Sequence, residues 1–321
     1  MSHAGRVTKL ILDTDIDTDC DDVGALAVLH GLARRGQVEI AGVICSTPIA
    51  WCVPCVRAIN RRYGRPEIPV GGARVEDWET SARHAAYRAH RDRCTEQGTK
   101  PLYNEVIAQE EIRAHGEAPA PDAVGVYRKI LAGAEDGSVT ICAIGTLTAL
   151  ALLLESPADG FSPLGGRALV ERKVGKLVAM ATAQPDTGVE RFNWKMDLPA
   201  AAKVIGEWPT PLAVSWHGDE VKTGRQMMAG CPADHPLAVS YRQFLGTTEA
   251  DRPSWDQLAV LCATGQAEGL YDESGRRSLA LEEETGRYAW GEYKGGAERT
   301  FFRPVATDDA LAEAVEKMMA Y

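Results

Sequence analysis

No apolar run in this chain approaches the ~20 residues that a membrane-spanning helix needs. The richest stretch, Ala149-Leu150-Ala151-Leu152-Leu153-Leu154, is short, ends at Glu155, and reads as a buried helix. Lysine and arginine form no block interleaved with aromatics, and the formal net charge is −10 with a pI near 5.3. A nucleic-acid polymer is therefore not an expected partner, while a single nucleoside remains compatible. The first residues, Met1-Ser2-His3-Ala4-Gly5-Arg6, carry neither an apolar signal region nor a small-residue cleavage site, so the cytoplasm is the expected compartment. Cys52-Val53-Pro54-Cys55 has no second CxxC or His pair to complete a zinc set. The eight cysteines are accordingly expected to be reduced, structural thiols.

What is present suffices for a large core: 321 residues with 45% hydrophobic content. Val7–Asp13 is an apolar run ending in polar residues, and Val23–Leu29 has helical spacing, which gives strand, loop, helix. The alternation continues through a strand at Glu39–Ser46, a helix at Trp51–Tyr63 and a third strand starting at Ile68–Val70. Arg74–Pro121 is polar, rich in His and Arg, and predicts an excursion with short helices over the site. Helix and strand then resume: Asp122–Ala134, Val139–Ile144, Leu147–Leu154, Lys176–Ala181, Pro199–Ile205 and Pro211–Ser215. A strand-rich stretch at Arg287–Val305 precedes a closing helix at Asp308–Met319. The pattern predicts an α/β fold with an open, mostly parallel sheet covered by helices on both faces, and one domain over 1–321. Ligands of such sheets bind beyond the carboxyl ends of the strands, which directs attention to Asp15, Ser46, Ile144, Ala183 and His217.

The first of these ends is crowded. Asp13, Asp15, Asp17, Asp19, Asp21 and Asp22 fall within ten residues. Helix capping accounts for one of them and a solvated turn for two more, but the set as a whole calls for a cation. Hard oxygen donors with no interposed His, and with Cys20 the one thiol among them, suit calcium, ahead of magnesium, rather than zinc. A second chemical reading is a phosphohydrolase-type DxD pair, with Asp13 as nucleophile and Asp15 as acid/base.

The segment from Leu12 to the Ala/Leu-rich helix after Asp21-Asp22 resembles the opening motif of the nucleoside hydrolases of inosine-uridine-preferring type. Three further segments are similar in the expected order: Tyr63-Gly64-Arg65-Pro66-Glu67-Ile68-Pro69-Val70-Gly71, Ala143-Ile144-Gly145-Thr146-Leu147-Thr148-Ala149-Leu150, and Phe192-Asn193-Trp194-Lys195-Met196-Asp197-Leu198-Pro199-Ala200. A fourth, Trp255-Asp256-Gln257-Leu258-Ala259-Val260, resembles the late element that supplies the last metal aspartate. The resemblance spans roughly residues 8 to 265 and implies hydrolysis of the N-glycosidic bond of a ribonucleoside or related N-riboside, by a homodimer or homotetramer. It further implies Asp15 as cation ligand and water-activating base, and Asp22, the Ile144 carbonyl and Asp256 as further ligands. Asp21 would bond a ribose hydroxyl and Asn193 the sugar nearer its 5′ side.

Several positions depart from that family pattern. Five residues separate Asp15 from Asp21, longer than the usual loop, and they include Asp17 and Asp19, each a possible replacement ligand. Trp255 stands where relatives commonly place a His that assists the leaving base. An indole cannot donate a proton as imidazolium does, but it can stack on a base. Arg191 stands where Glu is usual, with Glu190 beside it, so either an arginine suited to a 5′ anion or the displaced glutamate enters the site. Ser46–Trp51 lacks the usual Asn, and the His-Gly loop after the third strand is missing. His84, His90 and His217 are candidates for the absent acid, with His217 the best placed, and Trp51, Trp78, Trp216 and Trp255 are candidates for a base pocket. Asp197 reads as a helix cap. A non-catalytic metal and sugar binder on the same fold is the rival reading.

Overall fold

The computed structural model describes residues 7–96, 101–185 and 188–319. The N-terminal segment on which the cytoplasmic expectation rested lies outside them. The chain opens with β1 Thr8–Thr14, α1 Asp21–Arg34, β2 Val38–Cys45, α2 Cys52–Arg62 and β3 Val70–Gly72. The excursion that follows holds a short 3-10 turn, Ala82–His84, then α3 Ala85–Glu96 and α4 Tyr103–His115. Next come α5 Ala123–Ala132, β4 Val139–Ala143, α6 Thr148–Glu155, α7 Gly166–Lys173, β5 Val174–Met180, a 3-10 turn Trp194–Asp197, α8 Leu198–Glu207 and β6 Leu212–Ser215. The last part comprises β7 Lys222–Thr223, α9 Arg225–Gly230, α10 Pro236–Leu245, β8 Arg252–Pro253, α11 Trp255–Ala263, β9 Tyr271–Glu273, β10 Arg277–Leu281, β11 Tyr288–Glu292, β12 Arg299–Pro304 and α12 Asp308–Met319.

The main sheet runs β11-β10-β12-β6-β5-β4-β1-β2-β3, with β9 also paired to β12. From β12 to β3 all pairs are parallel, whereas β9, β10 and β11 pair antiparallel at the C-terminal edge. The period of two along β1 divides the core. Leu10 and Leu12 pack with α1, α2, α11 and α12 on one face, while Ile11 packs with α5, α6, α7 and α8 on the other. Local signals set several helix ends: Asp122 caps α5 by accepting from Gly125 N at 2.9 Å, and α8 and α10 each begin with a proline in the first turn.

The parallel part of the sheet follows the sequence expectation, with α7 as an addition, whereas the short strands β7 to β10, all before Arg287, are not in that expectation. Helix α7 has eight residues, of which only Gly166, Leu169 and Val170 are buried, too few for an apolar period to stand out. Among the described residues no helix is long and apolar enough to cross a membrane, and no disulfide is formed. Cys52 Sγ reaches the Ile16 carbonyl at 3.0 Å, a structural contact.

Candidate active site

β1, flanked by β2 and β4, delivers Asp13 and Thr14 to the carboxyl edge in register with Ala143 of β4 and Cys45 of β2. The chain then loops over that edge before entering α1. The N-cap of α1 is Cys20, and no side chain caps it. Asp21 and Asp22 occupy its first turn instead, as Asp256 does in α11. Two helix N-termini thus aim their positive ends at three carboxylates. Helices α1 and α11 pack together, which brings these turns into contact. Carboxylate oxygens of Asp21, Asp22 and Asp256 all lie within 4.8 Å of one another.

All three carboxylates are buried, and burial followed by repulsion from neighbouring aspartates, Asp19 for Asp21, Asp15 for Asp22 and Asp21 for Asp256, pushes their pKa values well above the ordinary range. Asp15, 7% exposed, is pushed up to about 7, first by burial and then by the charge of Asp17. It lies outside the close trio but raises the pKa of Asp22 and Asp256 through its charge. Gly145 lets β4 approach: a Cβ there would sit 2.6 Å from Asp15 N and 2.7 Å from Asp15 Oδ1. Thr14 donates its hydroxyl to Asp22. Asn193 Nδ2 donates to the Ile144 carbonyl at 2.7 Å, joining two residues that the sequence marked separately. That carbonyl has a second lone pair. A buried set of hard oxygens with only weak local compensation fits a divalent cation such as Ca²⁺ or Mg²⁺.

Asp17 and Asp19 are bound differently. Asp17 receives Arg91 Nε at 2.9 Å, Asn104 Nδ2 at 2.8 Å and the Tyr87 hydroxyl at 3.4 Å. Asp19 receives Arg252 Nε at 3.0 and 3.1 Å, while its backbone carbonyl accepts from Tyr103. Tyr87 also donates to the Asp15 carbonyl at 3.3 Å, and Asn104 to that of Ile16 at 3.2 Å. Helices α3 and α4 of the excursion therefore lie on the aspartate loop and grip it through side chains. Sequence reading marked the excursion but not Tyr87, Arg91, Tyr103, Asn104 or Arg252. The available signal was two arginines and two extra aspartates with no stated partner.

The family model described as "Inosine-uridine preferring nucleoside hydrolase" matches residues 10–300. The chain belongs to this family. It is thereby an N-ribosyl hydrolase in class. A comparison with curated protein sequences gives no match. Among solved structures, the type III effector protein XopQ, complexed with adenosine diphosphate ribose, is similar at a TM-score of 0.69 and 15% identity, over 98% of this chain and 94% of that one. The inosine-uridine preferring nucleoside hydrolase from Bacillus anthracis is similar at 0.66 and 18%, over 97% and 100%. The purine-preferring ribonucleoside hydrolase from Gardnerella vaginalis is similar at 0.63 and 16%, over 97% and 98%. At these identities the structural likeness speaks for the fold.

Against the nucleoside hydrolase pattern, the remaining candidates fall as follows. Glu190 turns inward: its carboxylate accepts from Thr182 N at 3.0 Å, Thr182 Oγ1 at 2.9 Å and Phe192 N at 3.2 Å. It clasps the loop that carries Asn193. Arg191 turns outward, its side chain 60% exposed, and binds the Thr182 carbonyl at 2.8 Å and Asp219 at 3.3 Å. His217 has both ring nitrogens engaged, Nδ1 with Tyr271 at 3.0 Å and Nε2 with Asp308 at 3.2 Å. Trp255 packs against Gly218, where a Cβ would lie 2.5 Å from Trp255 Cδ1, and Arg252 stands over its ring at 5.3 Å. His90 contacts Thr18 at 3.1 Å and meets Phe192 edge-on at 4.8 Å, whereas buried His84 packs on Trp78 at 4.7 Å. Asp197 does cap α8, accepting from Ala200 N at 3.3 Å, and also binds Arg83 and Thr148. The DxD reading loses its nucleophile: Asp13 is fully buried and accepts from Tyr127 at 2.5 Å, out of reach of a phosphorus atom.

Proposed function

We propose that this protein hydrolyses the N-glycosidic bond of a ribonucleoside or related N-riboside in a Ca²⁺-dependent reaction, with Asp15 activating the water. The convergence of Asp21, Asp22 and Asp256 beside Asp15 carries this reading. Asp22, Asp256 and the Ile144 carbonyl would hold the cation together with Asp15, and Asp21 is close enough to join them or to bond a ribose hydroxyl. When bound, Ca²⁺ supplies a Lewis acid that holds the ribose 2′,3′-diol and lowers the pKa of the attacking water.

The protein's own groups account for the rest. Asp15 would accept the proton of that water as the general base. The nearby carboxylates favour the positive charge that develops on the sugar as the bond to the base lengthens. Asn193, steadied by the Ile144 carbonyl, orients the sugar, and the Glu190 clasp fixes the loop that presents it. Burial of the site by α3 and α4 excludes bulk water. With His217 engaged and Trp255 in the usual His position, the leaving base is stabilised by stacking more than by protonation.

The test is release of reducing ribose from a panel of purine, pyrimidine and nicotinamide ribosides, with Ca²⁺ and after chelation. Steady Ca²⁺-dependent turnover of at least one member is expected. Binding of ribosides without ribose release throughout the panel would replace this reading with that of a metal and sugar binder, which the engaged His217 favours.

A further inference from the structure

Breaking the N-glycosidic bond of an uncharged nucleoside leaves an anionic base unless an acid delivers a proton to it. None of the candidate imidazoles is set to do so. His217 has both ring nitrogens engaged, with Tyr271 and Asp308. His84 is 1% exposed and packs on Trp78. His90 places Nε2 3.1 Å from Thr18 and 3.5 Å from Cys94, and packs on Phe192, the neighbour of Asn193. Burial lowers the pKa of all three, which keeps them neutral at pH 7.

The charge of the site points the same way. Asp15, Asp21, Asp22 and Asp256 hold no salt bridge among the described residues, and four carboxylates around one divalent cation keep two negative charges. The Arg252 guanidinium beside Trp255 does not offset them, since Asp19 takes it at 3.0 and 3.1 Å. An anionic base formed here is repelled, whereas a substrate that brings a positive charge is attracted. Trp255 adds a surface for such a charge: its indole is partly exposed and already carries the flat Arg252 guanidinium at 5.3 Å from its centre.

We infer that the substrate is a cationic N-riboside whose base departs uncharged, a pyridinium riboside of the nicotinamide type, held with its ring at Trp255 and its positive charge balanced by the aspartate cluster. This substrate class presupposes the hydrolysis and the role of Asp15 proposed above. In the reaction the water oxygen bonds to C1′, the water proton passes to Asp15, and the electron pair of the glycosidic bond returns to the ring nitrogen and cancels its charge. The base leaves as a neutral pyridine, ribose is the second product, and no acid is required. Positive charge moves from the ring onto the sugar, towards the carboxylates, so the attraction grows as the bond lengthens. For inosine or uridine the same step creates negative charge beside those carboxylates.

The experiment compares ribose release from nicotinamide riboside, inosine and uridine by the full, Ca²⁺-loaded chain, with the uncatalysed rates subtracted. The kcat/KM for nicotinamide riboside is expected to exceed that for either neutral nucleoside by about 10²-fold or more, the usual contribution of the missing acid. Trp255→His, which puts an imidazole at the base, is expected to narrow that preference by about tenfold or more. Binding is read separately by calorimetry with two uncleavable analogues, carbocyclic nicotinamide riboside, which is cationic, and the C-riboside of benzamide, which is neutral. The cationic analogue is expected to bind roughly tenfold tighter at low salt. Inosine or uridine hydrolysed as fast as nicotinamide riboside, or equal affinity for the two analogues, overturns the substrate class and leaves the hydrolase reading standing. If no riboside releases ribose, the hydrolase reading falls, and the calorimetric comparison decides on the selection of charge by itself.

Discussion

On one loop, Asp17 and Asp19 each hold an arginine, whereas Asp15, Asp21 and Asp22 hold none among the described residues and instead share their surroundings with Asp256. All five belong to the same crowded segment and are largely buried, Asp19 the least, so charge density alone does not separate them. Partners do. A carboxylate whose oxygens are taken by a guanidinium and an amide is a structural fastening, and here it fastens α3, α4 and β8 onto the loop. A carboxylate surrounded by other carboxylates is unstable unless a cation joins it. Asp17 and Asp19, both within the longer loop, therefore bring their own counter-charges, which Asp15, Asp21 and Asp22 do not.

The largest effect is expected from the uncompensated set. Asp256→Asn should reduce ribose release by about 10³-fold or more, as loss of a group that acts only with the cation in place, measured at the Ca²⁺ concentration that saturates the wild type. Next in size is the fastened set. Arg91→Ala leaves the fully buried Asp17 unpaired and should destabilise the protein by about 3 kcal/mol in chemical denaturation. Adding Asp17→Asn to Arg91→Gln should recover much of that loss, and neither variant should weaken Ca²⁺ by more than about threefold.

The pH dependence has a sign that follows from the same contrast. A carboxyl whose folded pKa is raised contributes stability at low pH that is lost as pH rises through that value. For Asp15, raised to about 7, the chelated protein should lose stability between pH 6.5 and 8. The expected slope is on the order of 2 °C in melting temperature per pH unit. Ca²⁺ should abolish the slope, so the gap between loaded and chelated melts widens with pH. A flat chelated profile would count against ionisation strain at the site. The window avoids His30, which burial holds down at about 4 and whose neutral form loses stability only as pH falls below about 6.5. The smallest effect is expected at Trp255: Trp255→Ala should raise KM roughly tenfold through lost stacking while Trp255→Phe stays near wild type, read from initial rates on the best riboside.

Much of this was legible in the sequence. The period of two in β1, the helical period after Asp22 and the closing helix at Asp308–Met319 rest on local patterns that burial preserves. Asp21, Asp22 and Asp256 sit in motifs of fixed order, and Asn193 and Ile144, chosen from separate segments, meet at 2.7 Å. What escaped reading is pairing across the chain. Arg91 and Asp17 are 74 positions apart, and Arg252 and Asp19 are 233 apart. No periodicity links them, so the extra aspartates read as spare ligands until the helices were in place. Glu190 and Arg191 show the same limit: which neighbour turns inward was decided by the Thr182 and Phe192 amides, which sequence does not display.

The most direct test is Ca²⁺ titration by calorimetry across four variants of the same loop system. Asp22→Asn and Asp256→Asn are predicted to abolish measurable binding, while Asp17→Asn and Asp19→Asn keep affinities within about threefold of wild type. Unchanged Ca²⁺ affinity in the first pair, or its loss in the second, would contradict the division of these carboxylates into cation ligands and arginine-held fastenings.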